Sequence, residues 1–564
     1  MKTKLLYILS FSFLLVTLCV NSQESEWLRS SFTEGTQGVS LQNLDSTHYS
    51  IFDLDVDGIK QQLVNAPLRS QSNGQSNTIV IFPDEKGKEN QYAIVEAPVL
   101  VDDVAVLHPN IKTYLGSRTD NSGTRIRFSI TPLGLNAMIS IPDEETVYIQ
   151  PVTKVSNGQY LVYNRNSKMN TGEIFECLTD DVGTKEEENA SASRDANDQL
   201  LRTFRMAISV NGEYTQFMDD GNAGNGNAQA DALAQVVATL NRTNEVFEVD
   251  MAITFTLVNG VDYNGNTMIF LSPNTDPYTG NFNAQLQTLL TSDVGEANYD
   301  IGHLFAYGGN NGNAGCIGCV CENGKGSGFS SHGFTDNDGG PYMSDFFDID
   351  YVPHEIGHQM GGNHTFSNNT EGTGVNSEPG SGTTIMGYAG ITGGNDVQDH
   401  SDPYFHYQTI NQILNNVTTG ANTCAVTTGI SNNPPVGNAG ADFAIPNGTA
   451  FILKASATDA DGGDVLTYTW EQIDSGQTTN GQFGPTHGGP VWRSRPPSTS
   501  TDRYMPIYSR VLVGALTEEN PVETADNSSW ETVSTIGRTL SFGLTVRDRS
   551  EAGGVGQTPQ TDFD

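Results

Sequence analysis

Basic residues are scarce in this chain. Its 564 residues hold 28 Lys+Arg against 66 Asp+Glu, a formal net charge of −38, yet only 17% of residues are charged. The imbalance comes mostly from missing bases. A phosphate backbone needs a basic face, so nucleic acid is excluded as a partner. Docking on an anionic membrane is disfavoured for the same reason. Long apolar runs are scarce too. The one at 5–20 is shorter than the roughly 20 residues that a spanning helix needs, so no stable membrane insertion is expected. The 60 glycines follow no collagen period, and there is no short internal repeat. Hydrophobic residues at 36% and aromatics at 9% suffice for packed cores, which excludes disorder throughout. A chain of this length implies several domains, since single domains usually run to about 100–200 residues.

The apolar run follows Lys2 and Lys4 and ends at Val20-Asn21-Ser22, where small residues permit cleavage. Residues 1–22 therefore read as a secretory signal peptide, with a membrane anchor as the alternative. Export would place the mature protein where disulfides persist. Cysteine is rare, with 6 in the chain. Cys19 leaves with the signal, and Cys177, Cys316, Cys319, Cys321 and Cys424 remain. An odd count in an exported protein asks for an explanation.

Residues 24–198 read as an all-β segment. Residues 125–130 alternate with period two, and 146–149 continue the pattern. An acidic, Ser/Ala/Asn-rich stretch at 180–199 has the composition of a linker and suits proteolytic cutting. From Leu200 the rhythm changes. Strands are expected at 204–210, 250–258 and 299–307, and helices at 227–246, 283–290, near Asp348 and at 406–417. This alternation indicates an α/β layer. A Gly/Asn/Cys-rich stretch, 308–328, interrupts it. Beyond Asn432, strands at 450–453, 466–470 and 542–546 read as a β-sandwich. The segment 475–538, rich in Gly, Ser, Thr and Pro, has no clear pattern. No terminal strand is obvious before Asp564, so this module is expected to be incomplete.

Residues 354–364 read His-Glu-Ile-Gly-His-Gln-Met-Gly-Gly-Asn-His, the pattern H-E-x-x-H-x-x-G-x-x-H. On a helix, His354 and His358 share one face and reach one ion. Glu355 sits beside the first ligand, within reach of a water on the metal. Gly361 permits the sharp turn that ends the helix and returns His364 as a third nitrogen ligand. Three histidines and an open position make a zinc site of the catalytic type. The pattern, with five specified residues, arises by accident with a probability of roughly 10⁻⁵ in a chain with this histidine content.

About twenty residues after His364 comes Thr384-Ile385-Met386-Gly387-Tyr388. The long histidine motif followed by this turn resembles the metzincin clan of zinc endopeptidases, and within it the bacterial reprolysin-like secreted peptidases. The resemblance covers about 199–428. It implies Zn2+ as cofactor and a protein or peptide substrate lying extended across a cleft. Glu355 would be the general base, and Met386 would pack beneath the ligands. A tyrosine two residues after the methionine is similar to astacins and serralysins, which makes Tyr388 a candidate oxyanion donor, with packing as the alternative. The stretch 308–318 would be the exposed edge that pairs with substrate backbone. The chain departs from reprolysins at Thr365, where they usually carry Asp, and in having no Cys before the methionine turn.

By the same resemblance, Cys321 would pair with Cys424 and tie the loop before the zinc helix to the domain's end. Cys316 and Cys319 would then pair locally. A zinc knuckle of Cys316, Cys319 and Cys321 is the competing reading. Cys177 is left alone in a segment that, around 109–114 and the strands after it, looks like the propeptide of bacterial reprolysin-like precursors. A cysteine switch is a metzincin device, so Cys177 is a candidate zinc ligand of the latent form. Residues 174–178 lack the fuller motif of matrix metalloproteinases, and a buried free thiol is the alternative. Residues 433–471 resemble the start of PKD-like or cadherin-like immunoglobulin-fold modules. Two acidic groups are candidates for Ca2+: Asp396, Asp399 and Asp402 with Asn395, and the turn Asp459, Asp461 and Asp464. His303, His332, His400 and His406 read as surface or packing residues.

The expected architecture is multidomain: a signal peptide at 1–22, a β-rich propeptide with acidic linker at 23–198, an α/β (α+β) metzincin-type catalytic domain at 199–428 with the zinc helix at its cleft, and an immunoglobulin-like β-sandwich at 429–564. The expected protein is a bacterial zinc endopeptidase, secreted or at the cell surface, made as a latent zymogen and acting as a monomer. A binding or adhesion protein using the domain as a scaffold is the competing reading, but a scaffold has no need of Glu355. A third is a zinc hydrolase acting on something other than peptides, which the methionine turn disfavours.

Overall fold

The computed structural model describes residues 25–32, 41, 44–72, 75–154, 157–165, 175–180, 195–333, 342–549 and 560–563. The expected signal peptide and most of the acidic linker lie outside the described residues.

The N-terminal region is β-rich, as its alternation implies. Nine strands form one antiparallel sheet in the order β1-β2-β9-β8-β7-β6-β5-β4-β3. In chain order they are β1 Trp27–Ser30, β2 Tyr49–Leu54, β3 Ile79–Pro83, β4 Glu89–Glu96, β5 Lys112–Arg118, β6 Arg125–Thr131, β7 Gly134–Ser140, β8 Val147–Pro151 and β9 Gln159–Asn164. Short helices α1 Val56–Leu63, α2 Arg69–Ser72 and α3 Asp102–Leu107 join some of them. On β6, Ile126, Phe128 and Ile130 point into an apolar core with Phe82 and Tyr114. The alternate residues Arg125, Arg127 and Ser129 are buried as well, each 1% exposed. Alternation here separates two covered faces, not an inside from an outside.

A long helix of the next region covers the second face. The sheet of that region contains β10 Glu176–Cys177, β11 Leu200–Val210, β12 Ile253–Leu257, β15 Ile301–Tyr307, β16 Asn311–Asn313, β17 Gly328–His332 and β18 Val426–Gly429. A two-strand hairpin, β13 Asp262–Tyr263 and β14 Asn266–Thr267, stands apart from it. Strands β12, β11, β15 and β17 run parallel, and β16 turns back antiparallel at the edge. The helices are α4 Gly212–Met218, α5 Ala228–Met251, α6 Phe282–Leu289, α7 Val352–Met360 and α8 Tyr407–Thr418. The Asn227 side chain caps α5 by accepting the Ala230 N–H, and Ala252 ends it in the left-handed region at φ 52. That cap moves Asp250 and Met251, expected in a strand, into the helix.

Helix α5 is buried along nearly its whole length, polar residues included. The sheet supplies their partners. Arg125 and Arg127 bond Glu245, at 2.8 and 3.1 Å. Arg127 and Arg69 pair with Glu248. Nearby, Arg242 of α5 bonds Asp348 at 2.7 Å and the Ala137 carbonyl of β7 at 3.1 Å. Arg165, just past β9, pairs with Asp345 and Asp350. A buried carboxylate without such a partner costs several kcal/mol, so these pairs hold the N-terminal sheet in one position on the α/β region.

The C-terminal region consists of short strands in three small sheets: β19 Val436–Asn438 with β21 Ser456–Thr458, β20 Phe451–Lys454 with β23 Asp502–Met505, and β22 Leu466–Gln472 with β24 Phe542–Asp548 and β25 Gln560–Phe563. Strand β25 is a terminal strand that the sequence reading did not find. The unplaced stretch 475–538 carries α9 Tyr508–Leu512 and packs Trp492 and Trp530 into the core of this region. It also reaches the α/β region by backbone hydrogen bonds: Thr478 to Ser367 at 2.7 Å, Gly380 to Thr478 at 3.1 Å and Gly476 to Asn376 at 3.1 Å. Arg547 pairs with Asp250 at 2.7 Å, and Arg549 bonds the Gly123 and Ser140 carbonyls of the N-terminal sheet. No described helix is long and apolar enough to cross a membrane.

Burial alone would raise the Glu248 carboxyl, but Arg127 and Arg69 outweigh it and hold it at about 2. A carboxyl depressed in the folded state stabilises the fold above its unfolded pKa and loses that contribution as pH falls toward the folded value. Stability should therefore drop as pH is lowered from about 4.5 toward 2, and Glu248→Gln should flatten that part of the profile. Thermal melts across this range test it.

Candidate metal centre

The zinc-type motif begins on a π-helical turn, Phe347–Tyr351, that runs straight into α7. Pro353 suits the first turn, where its missing N–H costs no bond. Gly361 ends the helix at φ 123, and a Cβ there would stand 2.9 Å from Asn416 Cβ. The turn that follows brings His364 back beside α7.

His354, His358 and His364 are each 1% exposed or less, and together with Cys177 they offer four ligand atoms within 4.8 Å of one another. Each imidazole is tied at Nδ1: His354 to the Ile385 carbonyl at 2.7 Å, His358 to the Gly362 carbonyl at 2.7 Å, and His364 to Glu371 Oε2 at 3.1 Å. A carbonyl or carboxylate acceptor keeps the proton on Nδ1 and leaves the Nε2 lone pair free. His358 and His364 Nε2 lie 3.1 Å apart, and His354 Nε2 is buried with no hydrogen-bond partner among the described residues. Two nitrogens on a tetrahedral zinc, each at about 2.0–2.1 Å, stand about 3.3 Å apart. The three lone pairs therefore fit a zinc ion. Burial, followed by the neighbouring imidazoles, holds His354 at about 3 and His358 well below the usual histidine range. Both rings are neutral, the form that binds metal.

Met386 is fully buried, and its sulfur would stand 2.6 Å from a Cβ at Gly357, so it packs against α7 between the two helical histidines. Tyr388 stacks on Phe366 at 4.2 Å between ring centroids and meets His364 edge-on at 4.8 Å. Burial, then Cys177 and Glu355, push its phenol well above the usual tyrosine range.

Cys177 is the one free cysteine among the described residues, and its Sγ lies 3.6 Å from His358 Nε2. Burial, then the charge of Glu355, push the thiol well above the usual range. Strand β10 carries it along the edge of the sheet. Glu176 and Cys177 pair in parallel with Asn311 and Gly312 of β16, with the Glu176 N–H on Asn310 at 2.9 Å and the Leu178 N–H on Gly312 at 2.8 Å. The expected substrate-pairing edge is thus covered by the chain's own N-terminal segment. Phe175 anchors the segment with its ring 3.9 Å from that of Tyr351.

Glu355 is fully buried behind this strand, and its Oε2 accepts the Thr179 hydroxyl at 3.1 Å. Burial pushes its carboxyl up to about 8. Gly312 lies against it so closely that a Cβ would stand 2.3 Å from Glu355 Oε1. Thr179, Gly312, Glu371 and a buried Glu378 are site residues that sequence reasoning missed. The glycine-rich stretch 308–328 was the one available signal, for Gly312.

The two disulfides, Cys316–Cys319 and Cys321–Cys424, exclude the zinc knuckle. The expected Ca2+ group at Asp396, Asp399 and Asp402 does not form, because these carboxylates do not converge. Asp396 instead accepts the Thr392 N–H and hydroxyl, at 2.8 and 2.6 Å. Asp459, Asp461 and Asp464 do converge, as do Asp219, Asp220 and Asp231. His303, His332 and His406 are fully buried packing residues and not surface ones.

An α/β layer whose edge runs beside an H-E-x-x-H-x-x-G-x-x-H helix, with a methionine turn beneath, defines a metallopeptidase domain. Residues 200–418 match the family model described as metallo-peptidase family M12B, reprolysin-like. Comparison with curated proteins gives no match for this chain.

Gly312→Ala should keep metal binding but push the Glu355 carboxylate aside, lowering peptidase kcat/KM at least about tenfold. Peptidase kinetics, with metal content measured in parallel, check this.

Proposed function

We propose that the chain is a secreted zinc endopeptidase of extracellular proteins, made as a latent zymogen and acting as a monomer. The observation that carries the reading is the convergence of three Nδ1-anchored imidazoles beside a buried glutamate. His354, His358 and His364 would hold the zinc. When bound, zinc supplies Lewis acidity, polarising a peptide carbonyl and making an attacking water more acidic.

The chain's own groups account for the rest. A substrate strand would take the place of β10 along β16, using the same backbone donors and acceptors. Glu355 would accept the proton of the attacking water and pass it to the leaving amine. Tyr388 borders the same space and is assigned as an additional donor to the developing oxyanion. In the precursor, Cys177 would fill the fourth position, Thr179 would occupy Glu355, and β10 would block the substrate edge. Departure of 175–179 would open Glu355 to water, lower its raised pKa and free it as a base. Cutting in the acidic stretch 180–199 would start that departure. The C-terminal region is read as an immunoglobulin-like module that braces the catalytic region, since 476–494 bonds directly to the loop between His364 and Met386. Calcium at Asp459, Asp461 and Asp464 remains a secondary part of this reading.

Glu355→Ala should retain zinc and lose nearly all chelator-sensitive hydrolysis of casein, and full activity would remove the assigned role. Cys177→Ser should raise the precursor's cleavage of a short peptide above that of the wild-type precursor, with Thr179 and β10 still limiting it. A Cys177→Ser precursor no more active than the wild-type precursor would remove the thiol from the causes of latency.

A further inference from the structure

Glu378 is fully buried and makes no ion pair among the described residues. Its charge is met by dipoles. Oε2 accepts the hydroxyls of Thr365 at 2.6 Å and Thr384 at 2.5 Å. Oε1 accepts the N–H groups of Thr383 at 2.9 Å and Thr384 at 3.2 Å, and the Thr383 hydroxyl at 3.4 Å. Both carboxylate oxygens are thus supplied with hydrogen-bond donors from the surrounding chain.

Its donors come from two places that matter for the metal centre. Thr365 follows the ligand His364. Thr383 and Thr384 lead into the turn whose Ile385 carbonyl orients His354 and whose Met386 supports α7. Backbone bonds complete the clasp. The Thr365 N–H donates to the Met386 carbonyl at 3.1 Å, the Glu378 N–H donates to the Thr365 carbonyl at 2.9 Å, and the Ser367 hydroxyl donates to the Glu378 carbonyl at 2.7 Å. The two backbone N–H groups on Oε1 can only donate, and the Thr365 and Thr384 hydroxyls donate to Oε2 as long as it is a carboxylate oxygen. A glutamine with its oxygen on the two N–H groups would put an N–H on the other side, so both hydroxyls would have to turn their protons away.

We propose that Glu378 is a positioning residue of the metal centre, fixing from one point both the peptide that carries His364 and the turn that orients His354. The inference rests on the reading of the three histidines as zinc ligands.

The test uses the full chain charged with Zn2+, with affinity read by chelator competition, and with Co2+ as a spectroscopic replacement. Glu378→Gln should weaken zinc affinity about 10–100-fold, the range for losing a group that orients ligands, and shift the visible Co2+ spectrum. Thr365→Val removes one donor and keeps the side-chain shape, so it should move both readouts in the same direction by a smaller factor. A Glu378→Gln protein that melts lower but keeps wild-type affinity and spectrum would overturn the inference. If Glu378→Gln fails to fold, Thr365→Val decides, and wild-type values in that variant would overturn it. A wild-type chain that binds no Zn2+ would overturn the reading of the metal centre and this inference with it. A wild-type chain that binds Zn2+ beside unchanged variants would overturn the inference alone.

Discussion

Everything around the candidate site depends on how the three imidazoles are held. An imidazole has two nitrogens, and it is a ligand at one only if the other keeps the proton. Here the Ile385 and Gly362 carbonyls and the Glu371 carboxylate each accept a hydrogen bond from an Nδ1–H, so three Nε2 lone pairs face one point. The local backbone serves those three acceptors. Gly361 breaks α7 so that Gly362 can reach His358, and the methionine turn is pressed under the helix so that Ile385 can reach His354.

Burial makes the arrangement chemically decided. It holds His354 and His358 below the usual histidine range and pushes the Glu355 carboxyl up to about 8 while β10 covers it. The N-terminal segment thus imposes two constraints at once. It brings a thiol to the ligand set and removes a base from water. Its hold is widespread, because the same region is bound through Arg125, Arg127 and Arg165 to carboxylates of the α/β region. A cut near 180–199 does not by itself break those pairs, so release of the whole region and release of the site are separate events on this account.

The convergence of the three histidines was legible because its cause is local: five residues of one helix and its turn carry most of it. The alternation of strand and helix beyond Leu200 was legible for the same reason, through short-range periodicity. What the sequence did not disclose is mostly long-range. Glu378 looks like an ordinary loop acid until Thr365 and Thr384 close around it. Arg127 alternates with apolar neighbours as an exposed residue would, yet α5 covers it. The stretch 475–538 lacks periodicity because it is irregular, and its order comes from Trp492, Trp530 and bonds to another region. Asp396, Asp399 and Asp402 do not gather their carboxylates at one point, whereas Asp459, Asp461 and Asp464, at a similar spacing, do, and spacing alone did not separate the two cases.

The central claim is that the three histidines hold zinc and that Cys177 completes the set in the precursor. X-ray absorption at the zinc edge of the purified full chain tests it directly. The account predicts three nitrogen neighbours at about 2.0–2.1 Å and one sulfur at about 2.3 Å, with the sulfur lost after the N-terminal segment is removed. Zinc absent from the full chain, or a first shell with no sulfur before cleavage, would contradict it.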